Sequence, residues 1–340
     1  MDILWSTLDF AAKSLIVFVT LAGVATVIAA LTRRQQRGRP HLEVRPLNAR
    51  FEALGDALRI GIESGKQQKS LRKRLVHDRK LARELPPGEK ARVFVLDFDG
   101  DLLATGVAGL REEVSAIIAT ATPQDEVVVR LESPGGAVPH YGLAAAQLAR
   151  LRERKIKLTV CIDRIAASGG YMMACVADRI IATPFSIIGS IGVVAQLPNL
   201  HRFLQKHGVD FEEATAGEFK RTVSVFGEIS EKGRRKFQDQ LEETHALFKD
   251  FVKAQRPALD IDRVATGEYW LGRRGLELGL IDGLSTSDDY LLSRAQAARL
   301  FAVTFKPEES WRSRLGRLSA EVVDRAVLAL LDRLQRLELR

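Results

Sequence analysis

From Arg92 onward, short apolar runs alternate with amphipathic stretches. Val93–Asp99, Glu126–Leu131 and Lys157–Asp163 read as strands, while Leu110–Ala121 and Tyr141–Arg152 carry helical periodicity. Strands separated by helices predict parallel βαβ units and an α/β fold. Glu231 to Ala254 is rich in charge, yet Phe237, Leu241, Leu247 and Phe251 recur on roughly helical spacing, predicting a long amphipathic helix. Leu315 to Leu339 predicts another, with Leu318, Val322, Leu330, Leu334 and Leu337 among arginines and acids. It suits docking on the body or on a sister subunit, or lying on a membrane surface.

Two long runs lack charge altogether. Ser14 to Leu31 contains no proline either, and Phe10-Ala11-Ala12 can extend it to bilayer-spanning length. A cleaved signal peptide is the alternative, but Asp2 and Asp9 precede the run where a signal peptide carries positive charge. Arg33, Arg34, Arg37 and Arg39 follow it, as they follow a retained anchor, and the positive-inside rule places that side in the cytoplasm. The second run, Ile180 to Leu197, is interrupted by Pro184, Gly189 and Gly192. It is expected to form buried strand and turn rather than a second span.

Charge divides the chain of 340 residues. Residues 33–92 hold 17 Lys/Arg and 7 Asp/Glu, densest at Lys66-Gln67-Gln68-Lys69-Ser70-Leu71-Arg72-Lys73-Arg74, whereas the whole chain is +8. This basic arm suits a solvated, partly helical linker or attraction to anionic lipid headgroups. It lacks the interleaved aromatics of a nucleic-acid site, so no nucleic acid is expected. Pro86-Pro87-Gly88 marks its end. The expected organisation is an anchor over 1–32, the arm over 33–91, the α/β domain over 92–297 and a C-terminal segment over 298–340. The two cysteines, Cys161 and Cys175, sit in apolar stretches and read as core residues. The six histidines have no metal-ligand spacing, so neither a metal nor a cofactor is expected.

The candidate chemistry lies at Ile165-Ala166-Ala167-Ser168-Gly169-Gly170, between a strand and a small-residue helical stretch from Gly169 to about Ala177. A serine on such a turn can simply cap the helix. It can also present its hydroxyl beside free N–H groups and the positive helix end, which stabilise an oxyanion. Upstream, Glu132-Ser133-Pro134-Gly135-Gly136 reads as a strand running into a tight turn able to aim the Gly136 N–H into the same cleft. The N–H of Gly169 would be the second donor. A serine needs a base. Lys220, among Phe219, Val223, Val225 and Phe226 and beside Arg221, has neighbours that favour a neutral amine, though a lone lysine is more often a solvated surface group.

Taken in order, Ser133-Pro134-Gly135-Gly136, Ala166-Ala167-Ser168-Gly169-Gly170-Tyr171, Gly189-Ser190-Ile191-Gly192-Val193 and Ala216-Gly217-x-x-Lys220 resemble the signal peptide peptidase A family of serine proteases. The resemblance covers about residues 90–290; Trp270-Leu271 and Gly279-Leu280-Ile281-Asp282 are similar to the family's closing segment. It implies a ClpP/crotonase-like ββα spiral and a Ser–Lys dyad, with Ser168 as nucleophile, Lys220 as general base, and Gly136 and Gly169 as oxyanion donors. It also implies homo-oligomers in which dyad residues can come from adjacent protomers, a place in the bacterial inner membrane, and polypeptide or membrane-derived peptide substrates. Two rivals are a crotonase-type enzyme acting on acyl-CoA thioesters, which shares the oxyanion logic without needing Ser168 or Lys220, and a non-catalytic membrane scaffold.

Overall fold

The structure, a computed structural model, describes residues 41–84 and 91–307. The expected anchor, the Pro86-Pro87-Gly88 boundary and the C-terminal helix lie outside the described residues. Among the described residues no helix is long and apolar enough to cross a membrane.

The centre is a seven-stranded sheet. Its strands are β1 (His41–Pro46), β2 (Arg92–Asp99), β3 (Glu126–Glu132), β4 (Lys157–Ile162), β6 (Arg179–Ala182), β9 (Gly283–Leu284) and β10 (Arg299–Lys306), in the order β1-β10-β2-β3-β4-β6-β9. The pairings from β10 through β9 are parallel, as in Phe94↔Val127 and Val129↔Val160. A parallel sheet is covered on both faces, and its middle strands are accordingly apolar on both. Phe94, Leu96, Val127, Val129, Leu158 and Val160 face the larger core; Val93, Val95, Val128, Cys161 and Ile181 face a smaller one.

Three short strands form a second sheet, β5 (Ile165–Ala167), β7 (Ile187–Gly189) and β8 (Tyr269–Leu271), in the order β5-β7-β8. β5 pairs with β7 in parallel and β8 with β7 antiparallel. The chain visits the large sheet, then the small one, then a helix: β4, β5 and the helix Gly169–Ala174 form one such unit. After β3, an isolated bridge between Ser133 and Ala166 takes the place of the short strand.

The helices are α1 (Asn48–Ile62), α2 (Gly65–Glu84), α3 (Val107–Thr120), α4 (Val138–Glu153), α5 (Gly169–Ala174), α6 (His201–Lys206), α7 (Glu231–Gln255), α8 (Ile261–Val264), α9 (Gly272–Glu277) and α10 (Ser287–Ala297). The larger core takes Leu110 and Val114 from α3, Tyr141, Leu148 and Leu151 from α4, and all of α5. The smaller core takes Tyr290 and Leu291 from α10, with Leu47 and Phe51 packed against it. Asn48 secures that contact: its amide donates to the carbonyls of Ala295 (3.0 Å) and Ala298 (2.9 Å) and accepts from the Leu300 N–H (2.7 Å). Leu47 to Phe51 of the basic arm are therefore docked on the sheet rather than free.

Three sequence expectations need adjustment. Strands β1 and β10, outside the expected 92–297 stretch, belong to the same sheet as β2. In α7 the buried large residues are Phe248 and Val252, with Phe251 packed against the same core as expected, whereas Leu247 is 64% exposed. The run Ile180–Leu197 is buried through β6, Ser186, β7 and Ile191, but not beyond; Val194 is 79% and Leu197 43% exposed. Cys161 and Cys175 are both buried free thiols. Burial pushes Cys161 up to about 12 and Cys175 higher still, so neither is poised as a nucleophile.

Candidate active site

β3 delivers Ser133 to the bridge with Ala166, where the Ser133 N–H donates to Ile165 (2.9 Å) and the Ala167 N–H returns a bond to Ser133 (3.0 Å). That bridge sets the Pro134-Gly135-Gly136 turn directly against the end of β5. Gly135 adopts φ +90°, and a β-carbon there would lie 2.7 Å from the Ala167 carbonyl oxygen and 2.8 Å from the Gly169 nitrogen. Only glycine fits both the backbone angle and the space.

Ser168 follows β5 with φ +52° and ψ −119°, a conformation that a non-glycine residue adopts at a cost. Two backbone bonds hold it there. Its N–H donates to Gly189 at the end of β7 (2.7 Å), and its carbonyl accepts from the Met172 N–H in α5 (2.9 Å). The hydroxyl does not cap α5. The simpler reading of this serine is thus absent, and a half-buried hydroxyl remains at the head of the helix. No hydrogen bond among the described residues engages the N–H of Gly136 or of Gly169. A serine hydroxyl beside two uncommitted N–H donors is the equipment for acyl transfer.

Lys220 is elsewhere. It sits exposed on the long excursion between β7 and α7, facing a groove lined by Phe211, Ala214, Thr215, Val225 and Phe226, and Ser168 is not part of that lining. Within one chain the structure sets the Gly135-Gly136 turn against Ser168 and Gly169, while no hydrogen bond among the described residues joins Lys220 to Ser168. The apolar neighbours expected of it are partly present, in Val225 and Phe226. Phe219 instead lies under the ammonium groups of Lys232 (5.6 Å) and Lys236 (5.7 Å).

The excursion itself is unusual. From Gly192 to Lys232 no residue is buried, while Val194, Phe203, Phe219 and Phe226 are exposed. It is held by its own polar bonds: the Asn199 amide donates to Ser224 (2.9 Å) and Gly227 (3.0 Å), and Leu200 N–H to Val225 (2.7 Å). Sequence reasoning singled out Lys220 on this segment without seeing that the segment has no core.

It also passed over Tyr141 and Asp101. Tyr141, read only as the start of a helix, is fully buried with its hydroxyl on the Asp101 carbonyl (2.7 Å) and on Ser133 Oγ (2.7 Å). Its place immediately after the Gly-Gly turn was the available signal. Among the described residues no group of His, Cys, Asp and Glu could hold a metal ion.

Comparison with known proteins points the same way. The profile of peptidase family S49 matches residues 150–300, and that of its N-terminal region matches residues 2–148. A Haemophilus influenzae protein described as "Probable protease SohB" is 46% identical over 331 residues, 94% of each chain. A "Probable protease SohB" of Buchnera aphidicola subsp. Schlechtendalia chinensis is 58% identical over 202 residues, 59% of this chain and 66% of that one. Among solved structures, the membrane-bound stomatin-specific protease 1510-N matches with a TM-score of 0.39 and 14% identity, covering 60% of this chain and 84% of its own. That likeness is too loose to carry an argument.

Proposed function

Because the chain belongs to peptidase family S49 and is a protease, we propose that it is a membrane-anchored serine endopeptidase working through Ser168 and Lys220. The observation that carries this reading is the Ser168 hydroxyl, uncommitted to its helix and flanked by the free N–H groups of Gly136 and Gly169. Ser168 Oγ attacks the scissile carbonyl carbon while its proton passes to Lys220 Nζ. The carbonyl oxygen takes the negative charge between the two N–H donors. Collapse expels the amine, which receives the proton from Lys220. Water then attacks the acyl-enzyme, giving its proton to Lys220, and the same proton returns to Ser168 as the acid leaves. No step requires a cofactor.

Lys220 reaches Ser168 from a neighbouring protomer in this reading. Two features favour it: within one chain no hydrogen bond among the described residues joins the two, and the lysine-bearing excursion has exposed phenylalanines and no core of its own. A second copy covering the excursion would bury those rings and strip water from the lysine, as a general base needs. The alternation of long strand, short strand and helix supports the ClpP/crotonase-like reading of the fold. The uncharged run 14–31 and the arginines after it support a single inner-membrane anchor with the catalytic domain on the cytoplasmic side. Substrates would be unfolded polypeptides or membrane-derived peptides.

The test is complementation. Ser168→Ala and Lys220→Ala should each be inactive alone. Co-expressed in equal amounts they should regain about a quarter of wild-type hydrolysis, because a random heterologous ring sets an intact serine beside an intact lysine at one interface in four. Mixed assemblies without activity would place the lysine in the same chain as its serine; an active Ser168→Ala would end the dyad reading.

A further inference from the structure

The turn carrying Gly136 and the helix start carrying Gly169 belong to different units of the fold, yet both oxyanion donors must aim at one point. A single buried cluster lies beneath them. Ser133 and Tyr141 are each 0% exposed. The Tyr141 hydroxyl bonds to the Asp101 carbonyl (2.7 Å), and a carbonyl can only accept, so the phenolic proton is committed there. The bond between Ser133 Oγ and Tyr141 Oη (2.7 Å) must then have serine as donor. Ser133 Oγ in turn accepts the Gly135 N–H (3.1 Å). The proton positions are fully determined: Gly135 N–H to Ser133, Ser133 O–H to Tyr141, Tyr141 O–H to the Asp101 carbonyl.

That directed chain fixes the Pro134–Gly135 peptide plane, the neighbour of the one that carries the Gly136 N–H. Its far end is fixed as well. Asp101 closes a tight turn by accepting the N–H groups of Leu103 (3.1 Å) and Thr105 (2.9 Å) on its carboxylate. From the same turn the Leu102 carbonyl accepts the Ala137 N–H (2.8 Å), just beyond Gly136. The ring of Tyr141 does a second job. A β-carbon on Gly169 would lie 2.3 Å from Tyr141 Cγ, so the ring stands directly against the backbone of the other donor. One side chain touches both halves of the oxyanion site, through its hydroxyl on one side and its ring on the other.

We propose that Tyr141 and Ser133 are positioning residues that set the spacing and aim of the Gly136 and Gly169 N–H groups, with the Asp101–Thr105 turn as their fixed support. This rests on the reading of Ser168 and those two donors given above. Neither side chain touches substrate; both act through the backbone they hold. Their effect falls on the transition state, where charge develops on the oxygen, and not on binding of the uncharged substrate carbonyl.

The test is steady-state kinetics of the full chain on a fluorogenic peptide, with thermal melts alongside. Tyr141→Phe keeps the ring against Gly169 and removes the phenolic link. It should lower kcat by about 10- to 100-fold with KM within about twofold. Ser133→Ala should do the same, and the double variant should be little worse than either single one, since both break one chain. Inhibition by a peptide aldehyde, which forms an oxyanion on Ser168, should weaken in step with kcat/KM. Tyr290→Phe is the control: it removes another buried tyrosine hydroxyl, bonded to Glu126 (2.6 Å) on the other face of the sheet, and should lower the melting temperature while leaving kcat unchanged. A folded Tyr141→Phe or Ser133→Ala with wild-type kcat, beside an inactive Ser168→Ala, overturns the positioning role alone. An active Ser168→Ala overturns the catalytic reading beneath it. Should Tyr141→Phe not fold, Ser133→Ala and its aldehyde inhibition decide the matter.

Discussion

A β-carbon on Gly135 would stand 2.7 Å from the β-carbon of Ser168, closer than two such carbons approach in any folded chain. The turn before α4 and the turn before α5 are therefore fitted to each other without slack. Gly135→Ala should break that fit twice over, by collision and by the φ of +90°. We expect a stability loss of roughly 2–4 kcal/mol in urea titration and no detectable hydrolysis by the folded fraction. An active, fully stable alanine variant would mean the two turns are free to separate.

Ser168 holds a strained backbone at φ +52°. Both Ser168→Ala and Ser168→Gly remove the hydroxyl and should abolish hydrolysis. Only glycine also relieves the strain, which offsets its greater entropy when unfolded. The glycine variant should therefore be the more stable of the two inactive proteins by about 1 kcal/mol. An alanine variant that melts higher than the glycine variant would show that the backbone angle costs little.

The proton acceptor separates lysine from arginine sharply. Lys220→Arg should be inactive at every pH, because a guanidinium keeps its proton while an ammonium can lose it. An active arginine variant would transfer the role of base to another group, and the exposed His140 beside the Gly-Gly turn would be the next to replace.

Acid stability is set partly at the base of β2. Burial pushes the Asp125 carboxyl up, but the Arg92 guanidinium (2.6 Å) and the N–H groups of Thr122 and Arg92 outweigh it and hold the group at about 2. A carboxyl depressed on folding contributes fully above its unfolded value near 3.8, and the contribution is lost as pH falls towards about 2. Arg92→Met should remove on the order of 1–2 kcal/mol at neutral pH, allowing for the partly exposed arginine, and should flatten the loss between pH 4 and pH 2. Equal acid limbs in variant and wild type, by denaturant midpoint, would exclude this pair as a source of acid sensitivity.

Membrane attachment is expected to have two parts. The intact chain should stay with membranes through alkaline carbonate, and deletion of residues 1–39 should release most of it. A remaining fraction should leave with salt, because Lys66, Lys69, Arg72 and Lys73 are exposed along α2. A reporter fused after Arg340 should be active in the cytoplasm. Activity of a periplasm-only reporter at that position would reverse the orientation and leave the protease untouched.

Much of the centre of this fold is legible because parallel strands buried on both faces advertise themselves as continuous apolar runs, as Val93–Leu96 and Val127–Val129 do. The turn motif at Pro134, Gly135 and Gly136 is legible because those residues obey local rules of space and backbone angle, whereas the strained angle of Ser168 follows no such rule. Other parts depend on partners distant in sequence. β5, β7 and β8 have three residues each, too few to display a period. The pairing of Arg299 with Arg92 has no local trace. That α7 buries Phe248 and leaves Leu247 exposed is decided by what the helix packs on rather than by its own composition. Val194 and Leu197 show the opposite failure: they belong to an apolar run yet stand 79% and 43% exposed.

The place of β10 beside β2 has a consequence in time. Ribosomes make a protein from its N-terminus, and Arg92 and Arg299 are partners in one sheet although more than two hundred residues separate them. At 5–20 residues per second, roughly 10–40 seconds pass between the emergence of the two strands. Through that interval Val93, Phe94, Val95 and Leu96 form an open, apolar sheet edge, ready to recruit any passing strand. The strand that starts at Arg299 is thus the molecule's own stopper, and a chain broken before it yields a sticky product rather than a slightly shortened enzyme.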